Sequence, residues 1–396
     1  MNLLVVTNLY PPQELGGYGR SIADFVWGLQ ERGHSIQVLS SDESYLGASS
    51  GLGPSGEAVD RRLQLKGNYK GGVRPLNDPQ QRQAIDQANA EIIRAWINRQ
   101  HWDGILLGNL DLLGHELLPT LLESPYIVQH HVGFVHPPFP PNAWPGNERY
   151  RLVAASGAVR SAMVSAGLPT AASNVVYPGV RCELFGEDRV GMPTPLPPDG
   201  SRQRPLKVCF AGLLMISKGA HTLIEALIQL QQQGLNVQAS LAGDSFQSGY
   251  REQLEKWLRQ NDLDGSVQFV GQLDRRALAR FYALHHVGVF PSIHPEAFGI
   301  VAAEMMASGL AVVSSGVGGA SELINDGRTG LRFQAGDSKD LARCLMRLSN
   351  DAALLNRLRQ AGQREVQQRF SVMAAAATLE AGFKPDTPQG AEAKFF

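Results

Sequence analysis

Short apolar runs alternate with glycine-bearing loops and one-faced helices along most of the chain. Leu3 to Thr7 (LLVVT) predicts a buried strand. The loop NLYPPQELGGYGRS follows, with Gly16, Gly17 and Gly19. Ile22 to Glu31 then places Ile22, Phe25, Val26 and Leu29 on one helical face, and Gly33 ends it. Ser35 to Ser40 predicts a second strand. This strand, glycine loop, helix, strand order opens a Rossmann-like half. The same plan returns later as strand Lys207 to Ala211, loop GLLMISKGA, helix Thr222 to Gln232, stop Gly234 and strand Val237 to Ala242. Further strands are predicted at Gly104 to Gly108, Tyr126 to Gln129 and Val153 to Ser156. Gln83 to Gln100 predicts a packed surface helix with Ile85, Ile92, Ile93, Trp96 and Ile97 apolar and Arg82, Arg94 and Arg99 basic; a membrane-facing helix is the alternative. Residues 41–80 are polar and glycine-rich and read as a long loop. The expected architecture is α/β, with two Rossmann-like domains facing across a cleft. Its parts are residues 1–184, a proline-rich linker 185–205, residues 206–370, a helix 371–383 that crosses back, and a disordered tail 384–396.

Pro291 to Gly330 (PSIHPEAFGIVAAEMMASGLAVVSSGVGGASELINDGRTG) concentrates the candidate chemistry. Pro295 is expected to precede a helix that Gly309 closes. Ala311 to Ser315 suits a buried strand. Glu296 and Glu304 would sit ~80° apart on one continuous helix, so Glu296 is placed in the entry loop and Glu304 within the helix. The amides of Phe298, Gly299 and Ile300 are expected in the first turn, where N–H groups lack intrahelical partners and the helix dipole favours an anion. Two acids flanking a helix start suit a ligand with hydroxyls at both ends and phosphates between them, as in a nucleotide sugar. The bland alternative is a buried helix with two incidental glutamates.

Composition narrows the classes. With 43% apolar and 18% charged residues, the 396-residue chain is ordinary globular material of two to three domains. A formal net charge of −1 gives no support for nucleic-acid binding. Cys182, Cys209 and Cys344 form no CxxC pair and suit a reducing compartment. The N-terminus lacks signal-peptide character and no stretch suits a membrane span. A cytoplasmic protein is expected, with peripheral contact at the inner membrane face left open. Strict GxGxxG is absent, so NAD is not supported. His130, His131 and His136 match no zinc spacing, and no metal is expected. The run Phe134 to Pro145 reads either as a rigid surface loop or as an aromatic lip.

The 291–330 stretch resembles the Glu-x7-Glu signature of retaining glycosyltransferases of the GT-B fold, the family 4 group within glycosyl transferases group 1. The matching residues are Pro291-Ser292, Glu296-Ala297-Phe298-Gly299, Glu304 to Gly309, Val312 to Ser315, Gly318-Gly319 and Glu322. Gly212 to Gly219 resembles the family loop G-R-L-x-x-x-K-G, with Leu213 in place of its arginine. Pro125 to His131 resembles the strand that ends in the family histidine. The resemblance implies a retaining, metal-independent hexosyltransferase of the EC 2.4 class. It would move a sugar from a nucleoside-diphosphate donor to an acceptor hydroxyl, with no cofactor beyond that donor. It implies that Glu296 and His131 act at the donor sugar, with His130 one residue away as the fallback. Lys218 and the amides of Phe298, Gly299 and Ile300 would take the diphosphate. Glu304 would take the ribose, and Gly16, Gly17 and Gly243 would line the donor site. The resemblance makes residues 1–184 the acceptor-side domain and 206–370 the nucleotide-sugar donor domain; the acceptor itself is unassigned, with polysaccharide, lipid-linked and small-molecule acceptors open. Leu213 supports an alternative reading, a non-catalytic nucleotide-sugar-binding subunit. A sugar-nucleotide epimerase or hydrolase is the other alternative.

Overall fold

The computed structural model describes residues 1–13, 18–42, 50–70, 73–134, 137–170, 175–187 and 195–384. Chain packing divides the protein into two units. Unit 1 comprises residues 1–155, 160–176 and 375–396. Unit 2 comprises residues 156–159 and 177–374.

Unit 1 is built on strands β1 (Asn2–Thr7), β2 (Ser35–Ser41), β3 (Gly51–Leu52) and β4 (Ala58–Leu63), a small pair β5 (Gly67–Asn68) and β6 (Arg74–Pro75), then β7 (Gly104–Leu107), β8 (Ile127–His131) and β9 (Tyr150–Ala154). Its helices are α1 (Tyr18–Glu31), α2 (Pro79–Ile97), α3 (Leu118–Leu121) and α4 (Gly157–Ser165), whose first turn groups with unit 2. Among the described residues the main sheet runs β3-β4-β2-β1-β7-β8-β9. It is parallel except for β3 on the edge. The order reverses direction at β1/β7. Leu3 and Val5 of β1, Ile22, Val26 and Leu29 of α1, and Ala376 and Leu379 pack in one core.

Strand β4 corrects the expectation of a long loop over 41–80. Its sequence AVDRRL carries three charges, which hides the strand from a hydrophobicity reading. Val59 and Leu63 are buried, and so is Arg61 between them. Burial of the guanidinium is compensated by bonds to the carbonyl of Pro11 at 2.6 Å and Oε1 of Gln13 at 3.1 Å. Helix α2 packs Ile85, Ile93 and Trp96 inward, while Ile92 and Ile97 stay half-buried. In the run 134–145, of which 135 and 136 lie outside the described residues, Phe139 does not form a lip, while Trp144 is half-buried. Phe139 is buried, with ring contacts to Trp144 and Tyr150 at 6.1 and 6.3 Å.

Unit 2 uses β10 (Leu206–Ala211), β11 (Val237–Ala242), β12 (Val267–Gly271), β13 (Val287–Phe290), β14 (Ala311–Ser314) and β15 (Leu331–Arg332). The intervening helices are α5 (Ala220–Gln232), α6 (Tyr250–Gln260), α7 (Arg275–Ala283) and α8 (Ile300–Ala307). Helices α9 (Ser338–Asn350) and α10 (Ala352–Arg369) follow, then α11 (Val372–Gly382), whose residues from 375 on group with unit 1. All the strand pairs are parallel, in the order β12-β11-β10-β13-β14-β15. A parallel sheet is covered on both faces, which is why its inner strands β13 and β14 are buried along their whole length without alternation. Val208 and Phe210 enter one core with α5, α6 and α9, while Cys209 and Ala211 enter another with α7 and α8. The direction of the strand order changes at β10/β13. No helix among the described residues is long and apolar enough to cross a membrane. The expected tail lies, from residue 385, outside the described residues.

Candidate functional site

The loop after β10 and the loop after β13 leave the sheet of unit 2 on either side of its reversal point. In open parallel sheets such a point leaves a crevice outside the strand carboxyl ends. Lys218 comes from the first loop and Glu296 from the second, with Nζ and Oε1 2.7 Å apart. Ser292 Oγ donates to the same carboxylate oxygen at 2.6 Å. Ser315 Oγ donates to the carbonyl of Ser292 at 2.6 Å, so the loops after β13 and β14 are tied together. Both side chains of the Lys218–Glu296 pair keep partial contact with solvent.

Glycines set how closely these loops approach. Gly219, at φ +73, ends the Lys218 turn; a Cβ there would lie 2.0 Å from the carbonyl oxygen of Pro291. The amide of Ile293 donates to the carbonyl of Ser217 at 2.8 Å, which seals the same junction. At Gly243, φ +134, a Cβ would lie 1.9 Å from the carbonyl oxygen of Gly212. Only residues without a side chain allow backbone to meet backbone here. Glu296 pairs as an isolated bridge with Gly318, and the amide of Gly319 donates to the carbonyl of Glu296 at 2.7 Å. A Cβ on Gly319 would lie 2.2 Å from the carbonyl oxygen of Ala297.

Helix α8 starts later than the sequence suggests. Pro295 does not open it; Gly299 is the N-cap at φ +94 and Ile300 the first helical residue. The bridge to Gly318 holds residue 296 extended, so the left-handed turn at Gly299 starts the helix. Phe298 and Gly299 therefore precede the first turn, and the N–H groups of Ile300 and the next residues are those without intrahelical acceptors. The Phe298 ring is buried against Tyr177 and Phe370, each at 5.6 Å. Glu304 lies on α8 and is 1% exposed.

Glu322 does separate work. Its carboxylate accepts from the amides of Gly157 and Ala158 at 3.1 and 3.0 Å and from the hydroxyl of Tyr177 at 2.8 Å. It caps the start of α4. Burial first, and then the Glu322 bond, push the Tyr177 hydroxyl up to about 12. A cavity of about 710 Å³ beside Glu322, lined by Arg328, Arg332 and Arg369 among others, contains neither Lys218 nor Glu296.

His131 ends β8 in unit 1 and is 9% exposed. Its neighbour His130 is turned into the core. Its Nε2 lies 2.8 Å from the carbonyl of Val176, which fixes the proton on that nitrogen, and Phe25 meets its ring edge-on at 4.9 Å. Burial lowers its pKa to about 4. Gly16, Gly17 and His136 lie outside the described residues. Among the described residues no group of three metal-ligating side chains occurs. Ser292 and Gly219 carry more of the site than their sequence reading assigned. Their signal was the same motif, in the Pro291-Ser292 and Lys218-Gly219 pairs.

Residues 197–365 match the family model of glycosyl transferases group 1. Over 399 residues the chain is 23% identical to a glycogen synthase of Mycobacterium tuberculosis, covering 93% of this chain and 91% of that one. A D-inositol 3-phosphate glycosyltransferase of Nocardioides sp. is 32% identical over 216 residues, covering 50% of this chain and 45% of that protein. A crystal structure of Anabaena Alr3699/HepE in complex with UDP and glucose superposes with a TM-score of 0.70 at 21% identity. It covers 96% of this chain and 98% of that one.

Proposed function

We propose that this chain, whose fold is GT-B and whose residues 197–365 match glycosyl transferases group 1, is a retaining, metal-independent glycosyltransferase of the family 4 group. It transfers a hexosyl unit from a nucleoside-diphosphate sugar to an acceptor hydroxyl. The observation that carries this reading is the Lys218–Glu296 pair at 2.7 Å across the reversal point of the unit 2 sheet.

The chemistry follows from charge. Breaking the bond from sugar to diphosphate builds negative charge on the leaving phosphate. Lys218 and the amides at the start of α8 are positioned to offset that charge, as preorganised donors do. Glu296, held by Lys218 and Ser292, presents acceptor oxygens to sugar hydroxyls. Gly243, which admits the backbone of Gly212, is assigned to the donor site on the resemblance. Glu304 is assigned to the ribose and His131 to the sugar hydroxyls, both on the resemblance, as are Gly16 and Gly17. Lys218 and the helix start supply the positive charge that a divalent ion would otherwise bring. The UDP and UDP-glucose complexes of Anabaena Alr3699/HepE support a uridine nucleotide as the first donor to try.

The test is turnover of UDP-glucose and its GDP and ADP counterparts in excess EDTA, with the anomeric configuration of the product read by NMR. An α-linked product from an α-linked donor, formed without metal, is expected. An inverted product, or activity that EDTA abolishes, contradicts the reading.

A further inference from the structure

The stretch from 291 to 330 ends in Asn325 to Gly330 (NDGRTG), which the proposed transfer chemistry does not use. These residues form a turn held by its own bonds. The carbonyl of Asn325 accepts from the amides of Arg328 and Thr329 at 3.0 and 2.9 Å, and the amide of Gly327 donates to the carbonyl of Gly330 at 2.9 Å. Thr329 Oγ1 accepts from the amide of Asn325 at 2.9 Å. The Asp326 carboxylate accepts from the amide of Arg332 at 2.8 Å, which ties the turn to β15. The turn forms one wall of the cavity of about 710 Å³ beside Glu322, and Glu365 and Arg369 of α10 form another. Three arginines and three carboxylates line this cavity, but they are not matched. Glu322 is taken by two amides and the Tyr177 hydroxyl. Glu365 is bound by Arg369, and Asp326 by the Arg332 amide. Beyond the wall, Asp340 is held by the amide of Gln334 at 2.9 Å and by Arg343 at 3.1 Å. Among the described residues no carboxylate lies within ion-pair distance of Arg328 or Arg332, and the Arg332 guanidinium meets the carbonyl of Gly316 at 3.4 Å. Both arginine side chains are exposed, and so is that of Asn325.

We infer that this cavity binds a soluble phosphomonoester of a small polyol, at a site separate from the Lys218–Glu296 pair. Arg328 and Arg332 take the phosphate, because a guanidinium presents a planar fork of N–H donors that matches its oxygens. The Asn325 amide adds a neutral donor. The turn is already ordered by its internal bonds, so little freedom is lost on binding. The volume falls in the range of small-molecule sites, about 300–1,000 Å³, and leaves room beyond the phosphate. Asp326 and Glu365 can accept there from hydroxyls, since a carboxylate has about four acceptor sites and each is only partly used. Among the described residues none of the exposed large apolar side chains, such as Ile216 and Phe246, lines the cavity. It therefore offers a bilayer nothing to insert. The inference does not depend on the transfer reaction.

The test is NMR titration of the full chain with glycerol 3-phosphate, inorganic phosphate and glycerol at matched ionic strength, on wild type, Arg328→Ala, Arg332→Ala and Lys218→Ala. Cosedimentation with phosphatidylglycerol vesicles, run beside it, offers the same glycerophosphate group on a surface. Glycerol 3-phosphate should bind more tightly than inorganic phosphate, and glycerol should not bind. Each of the two arginine variants should weaken ester binding about tenfold, and Lys218→Ala should leave it unchanged. Because Arg328 and Arg332 are exposed, the unliganded melting curves of their variants should match wild type, which shows that they fold. The inference is overturned if the ester does not bind, if inorganic phosphate binds as tightly, or if Lys218→Ala abolishes binding that the arginine variants keep. Arginine-dependent binding to the vesicles without binding of the soluble ester would overturn it as well, in favour of a membrane surface.

Discussion

Lys218 and Glu296 lie 2.7 Å apart yet both remain partly exposed, so the pair adds little to folding, roughly 0–1 kcal/mol. Its proposed value is in catalysis. Lys218→Ala is expected to lower the transfer rate roughly 10²–10³-fold, about 3–4 kcal/mol of lost stabilisation of the leaving diphosphate, while moving the melting temperature little. Rate assays beside thermal scans check this. Equal rates in both proteins, or a collapse in stability, would remove Lys218 from that role. Leu213 is 38% exposed in the same loop. The bridge from Leu214 to Ser245 fixes the loop's course. An arginine in its place has room and would add a second positive group, so Leu213→Arg should tighten UDP binding about tenfold. Calorimetric titration reads it, and unchanged affinity would mean that position 213 does not face the diphosphate.

At the scale of elements, three histidines hold strand ends in place as neutral rings. His130 in β8, and His285 and His286 just before β13, each have a pKa lowered to about 4, first of all by burial. Their rings meet the carbonyls of Val176, Phe281 and Leu196 at 2.8, 2.8 and 2.9 Å. The folded pKa lies below the unfolded value of 6.5, so between those two values the unfolded chain binds protons that the folded chain excludes. Stability should be full above pH 6.5 and fall steadily as pH drops toward 4. Melting temperature against pH measures this. His130→Gln, which keeps a donor for Val176, should make the slope shallower, and an identical slope would show that His130 does not titrate with folding. The same scale shows where sequence reading worked. Strands such as β10 and β14 were legible because both faces are covered and each carries an apolar run, Val208 to Ala211 and Ala311 to Val313. Strand β4 was not, because its buried Arg61 depends on Gln13 and Pro11, about 50 residues away in the chain. The start of α8 was misplaced because the bridge between Glu296 and Gly318 is a tertiary contact. Proline punctuation cannot register it.

For the whole molecule, two α/β units with mainly parallel sheets each place polar residues at their own reversal point, one around Lys218 and Glu296, the other around Asn8 and Asn109, whose backbones meet at 3.2 Å. The residues of the first were readable from motif spacing. Those of the second were not, since NLY and GNLD carry no signal until the strand order makes them neighbours. The central claim is that unit 2 binds a nucleoside diphosphate through its own cations and amides. The most direct measurement is a thermal-shift titration of the wild-type protein with UDP, GDP, ADP, TDP and CMP in EDTA. A ligand that binds only the folded state stabilises it by about 2.7 kcal/mol at a hundredfold excess over Kd. The account predicts a clear, metal-free shift for one diphosphate and none for CMP. No shift with any diphosphate, or one that appears only when magnesium is added, would contradict it.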